Sequence, residues 1–487
     1  MLGALVLIGG VVLGLTSVAD AALQRPLLTP ASPKLDGLLQ LEHPLYANYS
    51  VRVTESQFCD GVTRVYTGYI DLEAKHLFFY FFESRRDPAS DDVVLWLNGG
   101  PGGSSAHGLF MENGPCRMAG PNGTERFEHS WNDFLNTLYL DQPVGTGFSY
   151  ADHGEYVSST YEASKDIAAF VAIFFHHFDN LKGRKFHMTG ESYAGRMIPV
   201  FAAAVHDQNA RLVKAGLAPI NLDSIVLGNG CTNFMIMTLS YYDIQCEYQQ
   251  DYGIPPIQTA QECSRIKQLV PRCERRLKTS CIDTYDKTDC LASLSFCADA
   301  FKDFWAKDDG YNPHDRTLPC KPYMGMDECY PIIKDISAYL NNPTTQATLG
   351  VDLAHSTFVA HNGSVQAMWE ANADRVSFRA EDAIGALLDR GVRALVYVGV
   401  NDFVCNWARL SSIGTERMTL GVEWAQQEAY RRAPVRDWRV GDVVAGKVRS
   451  GGGMTFATVL DAGHLTPHDQ PVRVLEVVRK WLLNGDM

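Results

Sequence analysis

Phe186-His187-Met188-Thr189-Gly190-Glu191-Ser192-Tyr193-Ala194-Gly195 runs from a short apolar strand into a tight turn and then into an apolar helical run. A serine at such a strand-to-helix turn has its hydroxyl lifted above a sheet, the context that a nucleophile elbow requires. It also stands at a helix N-terminus, where the backbone N–H of Tyr193 can face a developing oxyanion. The usual second glycine of the elbow is Ala194 here, with Gly195 next. A Gly-x-Ser turn by itself is more often structural, so the reading depends on what surrounds it.

Working outward, the chain alternates strands and helices. Residues 77–82 and 93–97 are near-continuous apolar runs, as expected of strands buried on both faces, and 137–140 is another, ending at Asp141-Gln142-Pro143. Ser159 with Glu162 reads as a capping box, and Ile167, Phe170, Val171, Phe174 and Phe178 follow at helical spacing until Gly183. After the elbow comes a helix that Pro199 should kink, then a strand at 224–227. This rhythm predicts an α/β fold with a central, mostly parallel sheet. It breaks between Cys231 and about Asp374, where no clean strand periodicity is found. It resumes with a helix at 383–388, a strand at 394–400, a strand at 456–460 and a closing helix at 472–483. One α/β core in two parts, residues 52–230 and 375–487, is therefore expected around a cap insertion, 231–374.

Composition narrows the classes. The 487 residues carry a net charge of −13, with 46% hydrophobic and 20% charged residues, and no run of Lys and Arg. Nucleic-acid binding through phosphates needs a cationic face, so it is excluded as a leading function. Aromatic content and the absence of a regular period exclude a disordered or fibrous chain. Eight of the twelve cysteines lie between Cys246 and Cys329 without a CxxC pair, which favours a disulfide-stapled insertion over zinc. At the N-terminus, Leu2 to Val18 is apolar or small and Ala19-Asp20-Ala21 has a small-x-small pattern, so residues 1–21 read as a signal peptide. The run is long and no basic residue precedes it, which keeps an uncleaved anchor as the alternative. Residues 22–51 read as an extension or short propeptide. Sequons at Asn48, Asn122 and Asn362 fit glycosylation on a secretory route, ending outside the cell or in a vacuole, with no stable membrane association after signal removal.

A serine nucleophile needs a histidine base and a carboxylate to hold it, and on an open α/β sheet these come later in the chain, in the order Ser, acid, His, on loops after strands. Asp402 follows the strand at 394–400, and His464 follows that at 456–460. His464 and His468 also have the i, i+4 spacing of a metal pair, but Pro467 stands between them and no Glu follows His464, so no metal is expected. Trp96-Leu97-Asn98-Gly99-Gly100-Pro101-Gly102-Gly103-Ser104-Ser105 lies directly after a strand. Such a glycine run frees backbone N–H groups for the second half of an oxyanion hole, and the lysine of a phosphate loop is missing.

With these stretches in place, the chain resembles the serine carboxypeptidases of the fungal secreted and vacuolar kind. The matches are Tyr66-Thr67-Gly68-Tyr69, Phe81-Phe82-Glu83-Ser84-Arg85, 96–105, Asp141-Gln142-Pro143-Val144-Gly145-Thr146-Gly147-Phe148-Ser149-Tyr150, 190–195, Asn401-Asp402-Phe403-Val404-Cys405-Asn406-Trp407 and Gly463-His464. The resemblance implies an α/β-hydrolase fold with an insertion and a catalytic triad of Ser192, Asp402 and His464. It implies oxyanion donors at the amides of Gly100 and Tyr193. It also implies recognition of the substrate's terminal carboxylate by Trp96, Asn98, Gly99, Glu112 and Glu191. The activity implied is release of C-terminal amino acids from peptides and proteins through an acyl-enzyme, favoured at acidic pH, without cofactor. An esterase or acyltransferase on the same scaffold and an inactive binding homologue are the alternatives; the carboxylate-binding set argues against the first and the intact triad against the second.

The resemblance also implies cysteine pairs Cys246–Cys263, Cys273–Cys297, Cys281–Cys290 and Cys320–Cys329, and a free thiol at Cys405 near the site. Cys59 is paired with Cys116, and Cys231 is left over. Where the family usually has a cysteine this sequence has Gly103, and its usual partner near Thr357 is missing as well, which predicts a lost disulfide. Leu465 stands where the family often has Met, a change of pocket lining.

Overall fold

The computed structural model describes residues 43–46, 49–121, 123–246, 257–301, 310–320, 325–406, 414–484 and 487. The expected signal peptide, most of the segment 22–51, and the sequons at Asn48 and Asn122 lie outside the described residues. In chain order the strands are β1 (Tyr49–Ser56), β2 (Val65–Leu72), β3 (Lys75–Phe82), β4 (Val93–Leu97), β5 (Cys116–Met118), β6 (Thr124–Arg126) and β7 (Asn136–Leu140). They continue as β8 (Tyr150–Ala151), β9 (Phe186–Glu191), β10 (Leu222–Gly228), β11 (Arg393–Gly399), β12 (Arg436–Val440), β13 (Val443–Gly451) and β14 (Met454–Val459).

The main sheet runs β1-β2-β3-β7-β4-β9-β10-β11-β14-β13-β12, with β8 on β3 and a separate β5–β6 ribbon. Every pairing from β7 through β4, β9, β10 and β11 to β14 is parallel, and the flanking pairings are antiparallel. This is the α/β-hydrolase arrangement. The parallel strands are buried on both faces. On β4, Val93, Leu95 and Leu97 pack with Ile167, Phe170 and Phe174 of helix α1 (Thr160–His177) and with Met197, Ile198 and Phe201 of helix α2 (Ala194–Asp207). Val94 and Trp96 face the opposite core, which includes Val477 and Trp481 of the closing helix Pro471–Asn484.

Several elements differ from the sequence expectation. Ser159 accepts a hydrogen bond from Glu162 N at 3.3 Å, but the Glu162 carboxylate reaches Ser158 N at 2.7 Å instead of closing a box on Ser159. The sheet begins at Tyr49, inside the expected extension, because Tyr49 and Val51 turn their side chains into the core. The β12–β13 hairpin, with its Arg-rich outer edge, carries too few buried positions to announce itself. Between Gly228 and Arg393 the chain leaves the sheet and returns to the neighbouring parallel position, and the excursion is helical, including Phe234–Cys246, Ala260–Leu277 and Lys287–Ala300. Within it Cys246 is bonded to Cys263, Cys273 to Cys297, Cys281 to Cys290 and Cys320 to Cys329, while Cys59 is bonded to Cys116 in the core.

Candidate active site

Ser192 has φ 64°, a left-handed backbone that few non-glycine residues adopt, at the turn from β9 into α2. The surroundings hold it there: Ser192 N donates to Gly228 O at 3.2 Å, and its carbonyl accepts from Gly195 N and Cys231 N, both at 2.9 Å. Its side chain is half-buried, while Tyr193 beside it is buried. The Tyr193 hydroxyl donates to Asp374 Oδ2 at 2.8 Å, and the same carboxylate accepts from Thr160 N at 2.9 Å. The end of the insertion thus anchors the elbow.

Asp402 and His464 come together as the chain order suggested. His464 Nδ1 lies 2.9 Å from Asp402 Oδ2, which assigns the Nδ1–H tautomer and leaves Nε2 as the acceptor. The Asp402 carboxylate is fully buried and receives Asn229 Nδ2 at 2.8 Å, Val404 N at 2.8 Å and Cys405 N at 3.2 Å. Buried ionised groups need such donors. His464 N donates to His314 O at 2.6 Å, and Arg316 N to Asn401 O at 3.2 Å, so residues 314–316 of the insertion strap the loops that carry His464 and Asp402. The His314 ring stands 5.3 Å from that of His464; burial holds its pKa well below the ordinary value.

Asn229 escaped the sequence reading. It looks like a turn residue in Gly-Asn-Gly, but it has φ 44° and its amide spans Asp402 Oδ2 and Gly463 O, 2.8 and 3.1 Å away. Its carbonyl accepts from Thr466 Oγ1 at 2.5 Å. The only hint in the sequence is a polar side chain at the end of a buried strand beside that of Asp402. Asn229→Ala should lower kcat about 10–100-fold with little change in KM, since it touches the acid and not the bound substrate. Steady-state kinetics on one peptide checks this; equal losses in both parameters would contradict it.

The expected carboxylate-binding residues also converge. Trp96 Nε1 and Gly108 N donate to Asn98 Oδ1 at 2.8 and 3.0 Å, and Asn98 Nδ2 donates to Glu112 Oε1 at 3.0 Å and approaches Glu191 Oε1 at 3.5 Å. Both glutamates are buried and share the Asn98 amide, close enough that each acts on the charge of the other. Burial raises Glu112 above the ordinary carboxyl range; burial, then the adjacent Glu112 charge, raises Glu191 well above it. Among the described residues neither Oε2 receives a hydrogen-bond donor. Burial also pushes Asp469, which accepts from Gly463 N at 2.7 Å, up to about 7.

The glycine run brings Gly99 and Gly100 against the elbow. A Cβ on Gly99 would land on Tyr193 N and lie 2.8 Å from both Glu191 O and Ser192 Cβ. Asp141 holds the loop from below, accepting from Ser104 Oγ at 2.5 Å and Ser105 N at 3.2 Å. Where the family's disulfide would sit, backbone bonds replace it: Ser104 N donates to Ala360 O and Asn362 N to Gly102 O, each at 2.9 Å. The third sequon residue, Asn362, caps the helix Gly363–Ala371 and donates to Gly145 O at 2.7 Å.

Cys405 is not the free thiol expected. It is bonded to Cys231, and among the described residues no cysteine is free. The reason is topological: β10 and β11 are parallel neighbours, so the loops leaving their C-terminal ends, which carry the two cysteines, lie side by side.

An α/β-hydrolase sheet with an elbow serine, a buried His–Asp pair and a glycine loop beside the elbow defines a hydrolase of the serine type. The family model for serine carboxypeptidases matches residues 58–484, and the chain belongs to that family of serine-type peptide hydrolases. It is 33% identical to a vacuolar serine-type carboxypeptidase of Saccharomyces cerevisiae over 95% of this chain and 90% of that one. It is 35% identical to carboxypeptidase Y of Komagataella phaffii over 90% of this chain and 80% of the relative. The crystal structure of a prohormone-processing carboxypeptidase from Saccharomyces cerevisiae shares the fold, with TM-score 0.72 and 22% identity over 87% of this chain and 92% of that one.

Proposed function

We propose that Ser192, His464 and Asp402 act as nucleophile, base and orienting acid in removing the last residue of peptides and proteins, with an acidic working range. Ser192 Oγ attacks the last peptide carbonyl as its proton passes to Nε2 of His464, whose Nδ1–H is directed at Asp402. The amides of Gly100 and Tyr193 meet the oxyanion. The C–N bond breaks, the imidazolium returns the proton to the departing amine, and water attacks the remaining acyl ester with the same histidine as base.

The observation that carries this reading is the buried Glu112–Glu191 pair bonded to Asn98. Two adjacent carboxyls in a dry site cannot both ionise, and the protonated one can donate to an incoming carboxylate. A substrate without a free acid has no use for such a donor. Asp402 and Asp469 add negative charge at Glu191; His464 and Arg117 are the basic groups that act on Glu112. Rising pH removes the shared proton and sets like charges against the substrate, so peptide KM rises. The raised carboxyl pKa values also mean that the folded state binds more protons than the unfolded one, so their contribution makes the protein less stable as pH climbs from the ordinary glutamate range through the raised one.

The test is kcat/KM from about pH 4 to 9 for a peptide and its C-terminal amide. The peptide should lose efficiency through KM well before pH 8 while the amide holds its value, and Glu191→Gln should flatten the difference. Parallel profiles would sink the reading. For location we propose the vacuole or the cell exterior; the signal-like N-terminus and the vacuolar relative support this. Among the described residues no helix is long and apolar enough to cross a membrane.

A further inference from the structure

The Cys231–Cys405 bond closes a loop of 174 residues with a Cα–Cα distance of 5.1 Å, and both residues are buried. The insertion's own four bonds span only 9 to 24 residues and staple helices to one another. This one lies beyond the ends of β10 and β11, which are already paired from Ser224–Arg393 to Gly228–Tyr397. What distinguishes it is the work of the two backbone amides it joins. Cys231 N donates to the Ser192 carbonyl at 2.9 Å, and Cys405 N donates to Asp402 Oδ1 at 3.2 Å. Two residues before Cys231, Asn229 holds the other oxygen of the same carboxylate at 2.8 Å. At the elbow, a Cβ on Gly195 would lie 2.8 Å from the Gly230 carbonyl carbon and 3.1 Å from Cys231 N, so the start of α2 presses directly on this loop.

We propose that the Cys231–Cys405 disulfide is a positioning cross-link that fixes the acid of the triad relative to its nucleophile. A single covalent bond joins an amide that holds Ser192 to an amide that holds Asp402. Without it, each loop keeps its hydrogen bond but loses its fixed distance from the other, and productive alignment of three groups is steeply sensitive to such displacement. The proposed carboxylate-binding residues lie outside the cross-linked loops: Asn98 directly after β4, Glu112 at the end of the turn Gly108–Glu112 and Glu191 at the end of β9. The inference rests on the serine mechanism proposed above.

The experiment compares Cys231→Ala/Cys405→Ala with wild type and with Cys281→Ala/Cys290→Ala, which removes a bond inside the insertion. Active serines are counted with a fluorophosphonate, so unfolded protein does not enter kcat. The first variant should lose about 10–100-fold in kcat per titrated serine with peptide KM within twofold, while the control keeps both. A kcat within twofold of wild type in the first variant overturns the inference, and so does an equal kcat loss in the control. Should the first variant yield no folded protein, non-reducing peptide mapping of the wild type decides: the Cys231–Cys405 peptide is expected, and a free Cys405 overturns it. Ser192→Ala, run in parallel, separates the two failures. Turnover by Ser192→Ala ends the serine reading, whereas a dead Ser192→Ala beside an unimpaired double variant ends the cross-link alone.

Discussion

Ser192→Ala should lower kcat by about 10⁴–10⁶-fold while leaving the protein folded and KM nearly unchanged. His464→Ala should cost about as much and Asp402→Ala somewhat less, and the triple variant should be little worse than Ser192→Ala alone, because the three residues act as one unit. The expectation comes from geometry: the imidazole is bound at 2.9 Å to a fully buried carboxylate, and the serine stands on a backbone turn that its neighbours hold with three hydrogen bonds. A chelator should leave wild-type turnover intact. Additive losses in the multiple variants would contradict the shared mechanism, and strong inhibition by EDTA would point to metal chemistry instead. Stopped-time release of amino acid from one peptide, normalised to folded protein, is the measurement.

Gly99→Ala should be nearly as damaging, although it removes no functional group. The added methyl would land on Tyr193 N and stand 2.8 Å from Glu191 O, and these are backbone atoms of a turn that cannot shift without moving Ser192. The glycine loop must retreat instead, taking with it the amide of Gly100 and the side chain of Asn98. Oxyanion stabilisation and carboxylate recognition should therefore fail together, with kcat reduced, KM raised, and kcat/KM down about 10³-fold or more. Gly363→Ala, where a Cβ meets nothing within 4 Å, is the control and should behave as wild type. If Gly99→Ala keeps kcat/KM within tenfold, the loop can withdraw freely and the tight contact has no functional weight.

What could be read in advance follows from how local each signal is. The elbow, the glycine run and the strand-end Asp402 and His464 are legible because the chemistry demands particular residue types at particular places on one kind of sheet. The cap disulfides join cysteines close in sequence. Cys231 and Cys405 were not matched because their pairing depends on where two loops 174 residues apart come to rest, which the strand order decides and no local pattern reveals. Asn229 was missed for the same reason, since an asparagine between glycines has no visible partner until Asp402 is beside it. β12 was overlooked on other grounds: as an edge strand it buries only Trp438 fully, so a two-residue hydrophobic period never develops.

The placement of β14 at the far side of β11 also has a consequence in time. With residue 192 as the proposed nucleophile and residue 464 as its proposed base, 464 − 192 = 272 residues are synthesised between them. At about 5–20 residues per second this takes roughly 14–54 s. Throughout that interval the growing chain has its serine but lacks the proposed base, and the loop of Asp402 has no His464 imidazole beside it. On the proposed mechanism a nascent copy should spare other unfinished chains around it, because β14 must dock before the first bond can be cut.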